Sequence, residues 1–365
     1  MKNRVLLTSP LPIMMPIIKI SGDSCNLKCE YCFYRKKNQD KKTIMSFCIL
    51  EKFIKEYLEL FDGNLRFTWH GGEPLLAGYD FFEKVVAFQE KYSHKSHKIL
   101  NTVQTNGTLI NKRWALLFKR YGFKIGVSLD GNEKNHNLLR KNKANKGSFQ
   151  QAIRGIRILQ EYKVPVSILS TLTSRTIGHT KENLSFFADT LGIKNIGTSI
   201  FYSGESDRSN PLNVQPEELT THMKKTIDFW LEQNKSDFRV REIENYLAGI
   251  IGKEASLCQF NGWCTSFFCV NHDGKIYPCD RFSGQEDLLF GDLSAQPLIK
   301  ILNNPKRLEY FDKTSFLHRD CLECEWVNSC HNDCVSLRNK NGKSIFCQTR
   351  KQTFKYLRSK IGKYT

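Results

Sequence analysis

Hydrophobic positions along the chain alternate between two periods. "PIIKISG" (Pro16–Gly22) reads as a strand. Leu50, Phe53, Ile54, Tyr57, Leu58 and Phe61 then recur at helical spacing, with Ser46 as a start signal. "LRFTW" (Leu65–Trp69) is strand-like again, and the alternation continues. Helix "YDFFEKVVAFQEKY" precedes strand "KILNTVQTNG", and helix "KRWALLFKRYG" precedes strand "KIGVSLDG". Helix "SFQQAIRGIRILQEYK" precedes strand "PVSILSTLTS", and helix "TKENLSFFADTLG" precedes strand "KNIGTSIFYS". Strands alternating with helices predict an α/β fold on a parallel sheet, with crossover helices outside. An open partial (β/α)6 barrel fits the length to about residue 235 (1–235). Loops at the C-terminal ends of its strands are where such folds place chemistry. Beyond, in 236–365, helices shorten, cysteines become dense and "DGKIYP" reads as a hairpin arm.

Composition narrows the class. Hydrophobic residues at 40% and aromatics at 12% mark a globular chain. The longest apolar stretches are too short to span a bilayer. Met1 to Met14 lacks the continuous apolar core of a secretion signal. Thirteen clustered cysteines without such a signal argue for metal ligation in a reducing compartment, and the expected location is cytoplasmic. The formal charge of +18 suits an acidic partner, or is simply a Lys-rich solubilising surface. No RNA or DNA motif is present, so neither nucleic acid nor membrane is an expected partner.

The first chemistry-bearing stretch is "CNLKCEYCFY". Cys25, Cys29 and Cys32 stand at C-x3-C-x2-C spacing with no fourth cysteine nearby. A closed zinc site takes four ligands, so zinc would need a distant fourth. Three thiolates on a [4Fe-4S] cluster leave one iron without a protein ligand, open to a small chelator such as S-adenosylmethionine. The spacing, the aromatic Tyr31 and the position after a first strand resemble the radical SAM superfamily. The resemblance extends to "WHGGEP" (Trp69–Pro74). There it implies that Gly72 brings backbone close to the methionine moiety and that Glu73 accepts from its ammonium. Two glycines permit an approach that a Cβ would block. In "VSLDG" it implies that Ser128 reaches the ribose. In "HNLLR" the resemblance implies that Arg140 stands near the cofactor carboxylate, against the alternative of a solvated arginine. Asn106 faces the cavity or serves a turn with Gly107. His70 positions substrate or cofactor, exchanges protons, or is a packed structural histidine.

The second cysteine field holds Cys258, Cys264 and Cys279, then Cys321, Cys324, Cys330 and Cys334, and finally Cys347. Two further [4Fe-4S] clusters would use eight cysteines. The pattern resembles the SPASM extension of peptide-modifying radical SAM enzymes. That resemblance implies one cluster on Cys258, Cys264, Cys279 and Cys334, and another on Cys321, Cys324, Cys330 and Cys347. It thus implies three [4Fe-4S] clusters in all, with S-adenosylmethionine. Cys48 and Cys269 have no place in this scheme and are expected as small core residues. Trp263 and Trp326 are expected to shield clusters. Asp280, next to Cys279 in "YPCDRF", matches an aspartate of sulfatase-maturating enzymes and is a candidate proton acceptor, against a structural carboxylate.

The resemblance implies homolysis of S-adenosylmethionine and hydrogen abstraction by a 5′-deoxyadenosyl radical, with an auxiliary cluster taking a second electron. Two groups of relatives fit. "WHGGEPLLAG" and "YPCDRF" point to a maturase of ribosomally made precursor peptides that joins an aromatic ring to a β-carbon, forming a cyclophane. The alternative is an anaerobic sulfatase-maturating enzyme making formylglycine; Asp280 suits it, but such relatives usually carry glutamine where this chain has His70. An alternative of another class, a non-catalytic iron–sulfur electron carrier, would not need the vacant iron, "GGEP" and "VSLDG" together. Expected partners are a precursor peptide and a reductant such as flavodoxin or ferredoxin; since only about fifteen residues precede the first strand, the peptide is expected to be held by the basic surface, a sheet edge or a separate peptide-recognition protein.

Overall fold

The computed structural model describes residues 14–36, 43–262 and 264–362. Trp263 and the segment before Met14 lie outside the described residues. The expected strands form as β1 (Met15–Lys19), β2 (Asn64–His70), β3 (Lys98–Thr105), β4 (Lys124–Ser128), β5 (Val166–Leu172) and β6 (Asn195–Ile200). Each pairs parallel with the next, as Ile17 opposite Thr68 and Gln104 opposite Gly126 illustrate.

The connecting helices are α1 (Phe47–Leu60), α2 (Tyr79–Tyr92), α3 (Lys112–Arg120), α4 (Glu133–Leu139), α5 (Phe149–Glu161) and α6 (Thr180–Ser185). Their apolar stripes face the sheet. In α1, Leu50, Phe53, Ile54, Tyr57 and Leu58 are buried, and the Ser46 hydroxyl accepts from the Ile49 amide at 3.3 Å, capping the first turn. The helix expected over 180–192 leaves α geometry after Ser185 and ends in a π-helical turn, Phe186–Thr190.

Strands from beyond residue 235 lengthen the sheet at both edges. β7 (Arg239–Val240) pairs with β6, and β8 (Phe267–Asn271) pairs parallel with β1, Cys269 opposite Ile17. β9 (Lys275–Tyr277) returns antiparallel to β8, and β10 (Gly291–Asp292) completes the order β10-β9-β8-β1-β2-β3-β4-β5-β6-β7. The long helices α7 (Pro216–Gln233) and α8 (Arg241–Ile250) follow β6 and β7. The C-terminal helix Cys347–Ile361 is tied to α7: the Tyr356 hydroxyl reaches Asp228 at 2.8 Å, and the Thr349 hydroxyl donates to the Pro216 carbonyl at 2.8 Å. The cysteine-rich segment is therefore fixed to the barrel at both edges of the sheet. No helix among the described residues is long and apolar enough to cross a membrane.

Candidate active site

The C-terminal ends of β1 to β5 meet the cysteine loop. Gly72 is locked against it: a Cβ there would stand 2.0 Å from the Ser24 carbonyl oxygen, far inside contact distance. The Gly72 and Glu73 amides donate to the carbonyls of Gly22 and Ser24, each at 2.8 Å. Glu73 is wholly buried. Its carboxylate accepts from the Thr105 hydroxyl at 2.6 Å and from the amides of Asn106 at 2.8 Å and Leu75 at 3.1 Å. Burial nevertheless pushes its pKa up to about 7. The Asn106 amide group donates to Asn26 at 2.8 Å, within the cysteine loop, so the end of β3 braces that loop as well as turning at Gly107.

Cys25, Cys29 and Cys32 are free thiols. Burial pushes Cys25 up to about 12, with Glu73 adding to it, and Cys29 up to about 11. Buried thiols of this kind become thiolates only where a cation compensates them. Among the described residues no three cysteine sulfurs converge within the 4.8 Å of a single-ion site. The donor set therefore suits a multi-iron cluster, which spreads its ligands, better than zinc.

On the far side of the loop lies a residue the sequence reading passed over. Asp130, 1% exposed, follows β4. Its Oδ2 accepts from Arg140 Nε at 2.8 Å and from the Tyr31 hydroxyl at 2.5 Å, and its Oδ1 from the Thr171 amide at 2.8 Å. Arg140 is buried, not a solvated arginine, and its guanidinium lies 5.3 Å from the Tyr31 ring centre. Burial opposes the Arg140 charge, but Asp130, Tyr31 and Cys29 together outweigh it and hold the guanidinium protonated above its ordinary range. Ser128 accepts at 2.9 Å from Gln104, another residue not singled out beforehand. The signal for Asp130 was in plain sight, a carboxylate at a strand end within "VSLDG".

Between the barrel and the cysteine-rich segment a second polar group gathers. Asp280 accepts from the Tyr34 hydroxyl at 3.3 Å. Tyr34 stands edge-on to His70, ring centres 6.5 Å apart. His70 is half-buried, its shielded Nδ1 makes no hydrogen bond, and burial lowers its pKa. Lys19, 2% exposed, lies 4.1 Å from the Tyr34 ring centre, donates to Ser283 at 3.2 Å and pairs with Asp23 at 2.7 Å. Lys19 and Tyr34 were not anticipated. The signal for Lys19 was a charged residue inside an otherwise apolar strand.

The second cysteine field folds into two groups. Burial pushes the thiols of Cys258, Cys264 and Cys279 up, and each lies close enough to Cys334 for a thiolate there to push it further; Arg281 lies near Cys258, Cys279 and Cys334. Cys321, Cys324, Cys330 and Cys347 line a common cavity with Trp326 and Arg350. Trp326 is buried and stacks on Phe354 at 4.5 Å. Arg350, a residue not foreseen, donates to Cys330 Sγ at 3.0 Å and pairs with Asp333 at 3.3 Å. Cys269 is buried in β8, as expected of a core residue. Cys48 is not: it is exposed near the start of α1, because the apolar stripe of that helix falls on Leu50 and Phe53 instead.

Comparison with known proteins agrees with this arrangement. The family described as "Radical SAM superfamily" matches residues 20–192, and "Iron-sulfur cluster-binding domain" (SPASM) matches residues 258–334. The cysteine-type anaerobic sulfatase-maturating enzyme of Clostridium perfringens is 32% identical over 95% of this chain and 96% of its own. The serine-type enzyme of Bacteroides thetaiotaomicron is 28% identical over 90% of this chain and 83% of its own. The solved structure "Native anSMEcpe with bound AdoMet and Kp18Cys peptide" superposes with a TM-score of 0.89 at 30% identity, covering 97% of this chain and 99% of that one. These relatives overturn the expectation of a cyclophane-forming peptide maturase, which had rested on local wording around His70 and Cys279. Similarity along the whole chain outweighs two short stretches. The protein is an enzyme, and its cofactors are S-adenosylmethionine and three [4Fe-4S] clusters. The chain belongs to the radical SAM superfamily, in the SPASM-bearing family that includes the anaerobic sulfatase-maturating enzymes.

Proposed function

We propose that the enzyme oxidises a cysteine or serine side chain of a sulfatase peptide to formylglycine. The observation that carries this reading is the likeness, over nearly the full length, to sulfatase-maturating enzymes and to one solved with a cysteine peptide bound. Residues 1–235 supply the barrel and 236–365 the cluster-bearing extension.

In this reading Cys25, Cys29 and Cys32 hold the first cluster. Cys258, Cys264, Cys279 and Cys334 hold one auxiliary cluster, and Cys321, Cys324, Cys330 and Cys347 the other. When bound, the first cluster and S-adenosylmethionine supply a carbon radical that removes hydrogen from the target carbon. The chain's own residues fix the geometry. Glu73 and Gly72 offer a carboxylate and a close backbone to the methionine end, Ser128 a hydroxyl to the ribose, and Tyr31 with Arg140 a buried wall braced on Asp130. The oxidation removes one hydrogen atom, one electron and one proton; a serine then stands as the aldehyde, whereas a cysteine stands as a thioaldehyde that takes up water and releases hydrogen sulfide. In this reading Asp280, beside Cys279 and hydrogen-bonded to Tyr34, would take the proton, and a cluster held by Cys258, Cys264, Cys279 and Cys334 would supply an electron acceptor. A low-potential donor such as flavodoxin or ferredoxin would feed the first cluster.

The test is anaerobic turnover of a cysteine-bearing sulfatase peptide and its serine counterpart, followed by mass spectrometry and hydrazide trapping. A trapped aldehyde at the target residue supports the assignment. A product that has lost two hydrogens, keeps its sulfur, resists fragmentation across a ring and gives no hydrazone would overturn it.

A further inference from the structure

At the opposite end of the barrel from the cysteine loops, three side chains outside the radical chemistry come together. Asp62 lies in the turn between α1 and β2, and His94 and His97 lie in "SHKSHK" between α2 and β3. One ligand atom from each lies within 4.8 Å of the others. Asp62 Oδ1 stands 3.5 Å from His94 Nε2 and 3.3 Å from His97 Nε2. Ligand atoms about 2.0–2.1 Å from a tetrahedral zinc ion stand about 3.3 Å apart, so both separations match edges of that tetrahedron. The His97 side chain is fully buried, yet its Nε2, aimed at Asp62, forms no well-directed hydrogen bond. Its nearest neighbour in the cluster is the Asp62 carboxylate oxygen at 3.3 Å, which would be its fellow ligand.

The surrounding shell suits ligation too. The Ser96 hydroxyl bonds Asp62 Oδ1 at 2.5 Å and His94 Nδ1 at 2.9 Å, linking carboxylate and imidazole from behind. That hydroxyl and the two histidines hold the Asp62 carboxyl below its ordinary range, so it is ionised at neutral pH.

We infer that Asp62, His94 and His97 form a binding site for one borderline divalent cation, with zinc as the probe and water completing the coordination. Nitrogen and carboxylate donors in this ratio favour zinc and its first-row neighbours over magnesium or calcium. The His94 amide donates to His97 Nδ1 at 3.2 Å, which keeps the metal-free ring proton on Nε2. Cation binding takes Nε2, moves that proton to Nδ1 and releases the amide to solvent. The bound ion clips the turn after α1 to the turn after α2 and anchors the starts of β2 and β3, far from the clusters.

The test uses cluster-loaded protein, anaerobically incubated with zinc chloride and desalted. The wild type is expected to keep one more zinc per chain than a D62N/H94Q/H97Q variant. Zinc-edge X-ray absorption should show nitrogen and oxygen at about 2.0 Å and no sulfur at about 2.3 Å. Added zinc should raise the thermal midpoint of the wild type alone. D62N and H94Q serve as single variants, since those side chains are 71% and 58% exposed. Each should cut retained zinc at least tenfold, with iron content and 5′-deoxyadenosine formation unchanged. Equal zinc in wild type and variants, sulfur in the first shell, or no retained zinc would each overturn the site.

Discussion

Asp130→Asn changes one buried charge and almost no volume. The carboxylate accepts three hydrogen bonds, from Thr171, Arg140 and Tyr31, at 2.8, 2.8 and 2.5 Å. An asparagine has one oxygen to offer. Turned towards the Thr171 amide, it points its NH2 at two other donors; turned the other way, it points the NH2 at the Thr171 N–H. In either pose the Arg140 guanidinium, 7% exposed, loses its counter-charge. Stranding one member of a buried ion pair costs about 3–5 kcal/mol. With an unfolding entropy of about 2 cal/mol/K per residue, a loss of 4 kcal/mol in a chain of this length lowers the thermal midpoint by about 5 °C. The midpoint is measured on anaerobic, cluster-loaded protein. The KM for S-adenosylmethionine, read from 5′-deoxyadenosine formation, should rise at least tenfold as Arg140 and Tyr31 lose their brace. The double variant Asp130→Asn/Arg140→Gln should regain most of the midpoint, because no charge is left stranded, but not the cofactor affinity. An Asp130→Asn midpoint within a degree of wild type, or a double variant less stable than the single, would refute the reasoning.

Other positions offer independent tests. Gly72→Ala must displace the Ser24 backbone by about an ångström, and a shift of that size near reacting atoms costs about 100-fold in rate; 5′-deoxyadenosine formation should fall accordingly while the auxiliary clusters keep their iron. His136 and His222 are buried, and desolvation lowers them to about 3 and about 4. Both folded values lie below the ordinary histidine value of about 6.5, so below that pH the unfolded chain binds protons that the folded chain refuses. Stability should therefore fall as pH drops below about 6.5, by about 1.4 kcal/mol per pH unit for each histidine, until the folded values are reached. Thermal midpoints between pH 7 and pH 5 should decline less steeply in His222→Gln, and equal slopes would refute the assignment. Arg350→Gln removes a cation 3.0 Å from Cys330 Sγ and should lower the midpoint potential of one auxiliary centre, followed by redox titration with EPR detection.

The periodicities made the barrel legible because each helix and strand is a local event: α1 shows its stripe within fourteen residues. The C-x3-C-x2-C loop was equally plain, since all three thiols lie on one short segment. Cys48 misled because one apolar residue near a helix start says little about which side of the stripe it takes. The weight placed on His70 misled for another reason: hydrogen-abstraction machinery is common to peptide cross-linkers and sulfatase-maturating enzymes. Similarity over the whole chain separated them here, and two short stretches do not speak for the whole.

By itself, the order of residues determined the alternating elements, the open three-thiol loop and a second field rich in cysteine. Folding decided which of these meet. It set β8 beside β1 across some 250 intervening residues, joined Tyr31, Asp130 and Arg140 on one buried carboxylate, drew Cys334 towards Cys258 and Cys264, and brought Asp62 to His94 and His97. Helical and strand patterns come from neighbours a few positions apart, whereas these meetings come from packing a whole sheet, and the energy of burying it leaves no mark on any short stretch of chain.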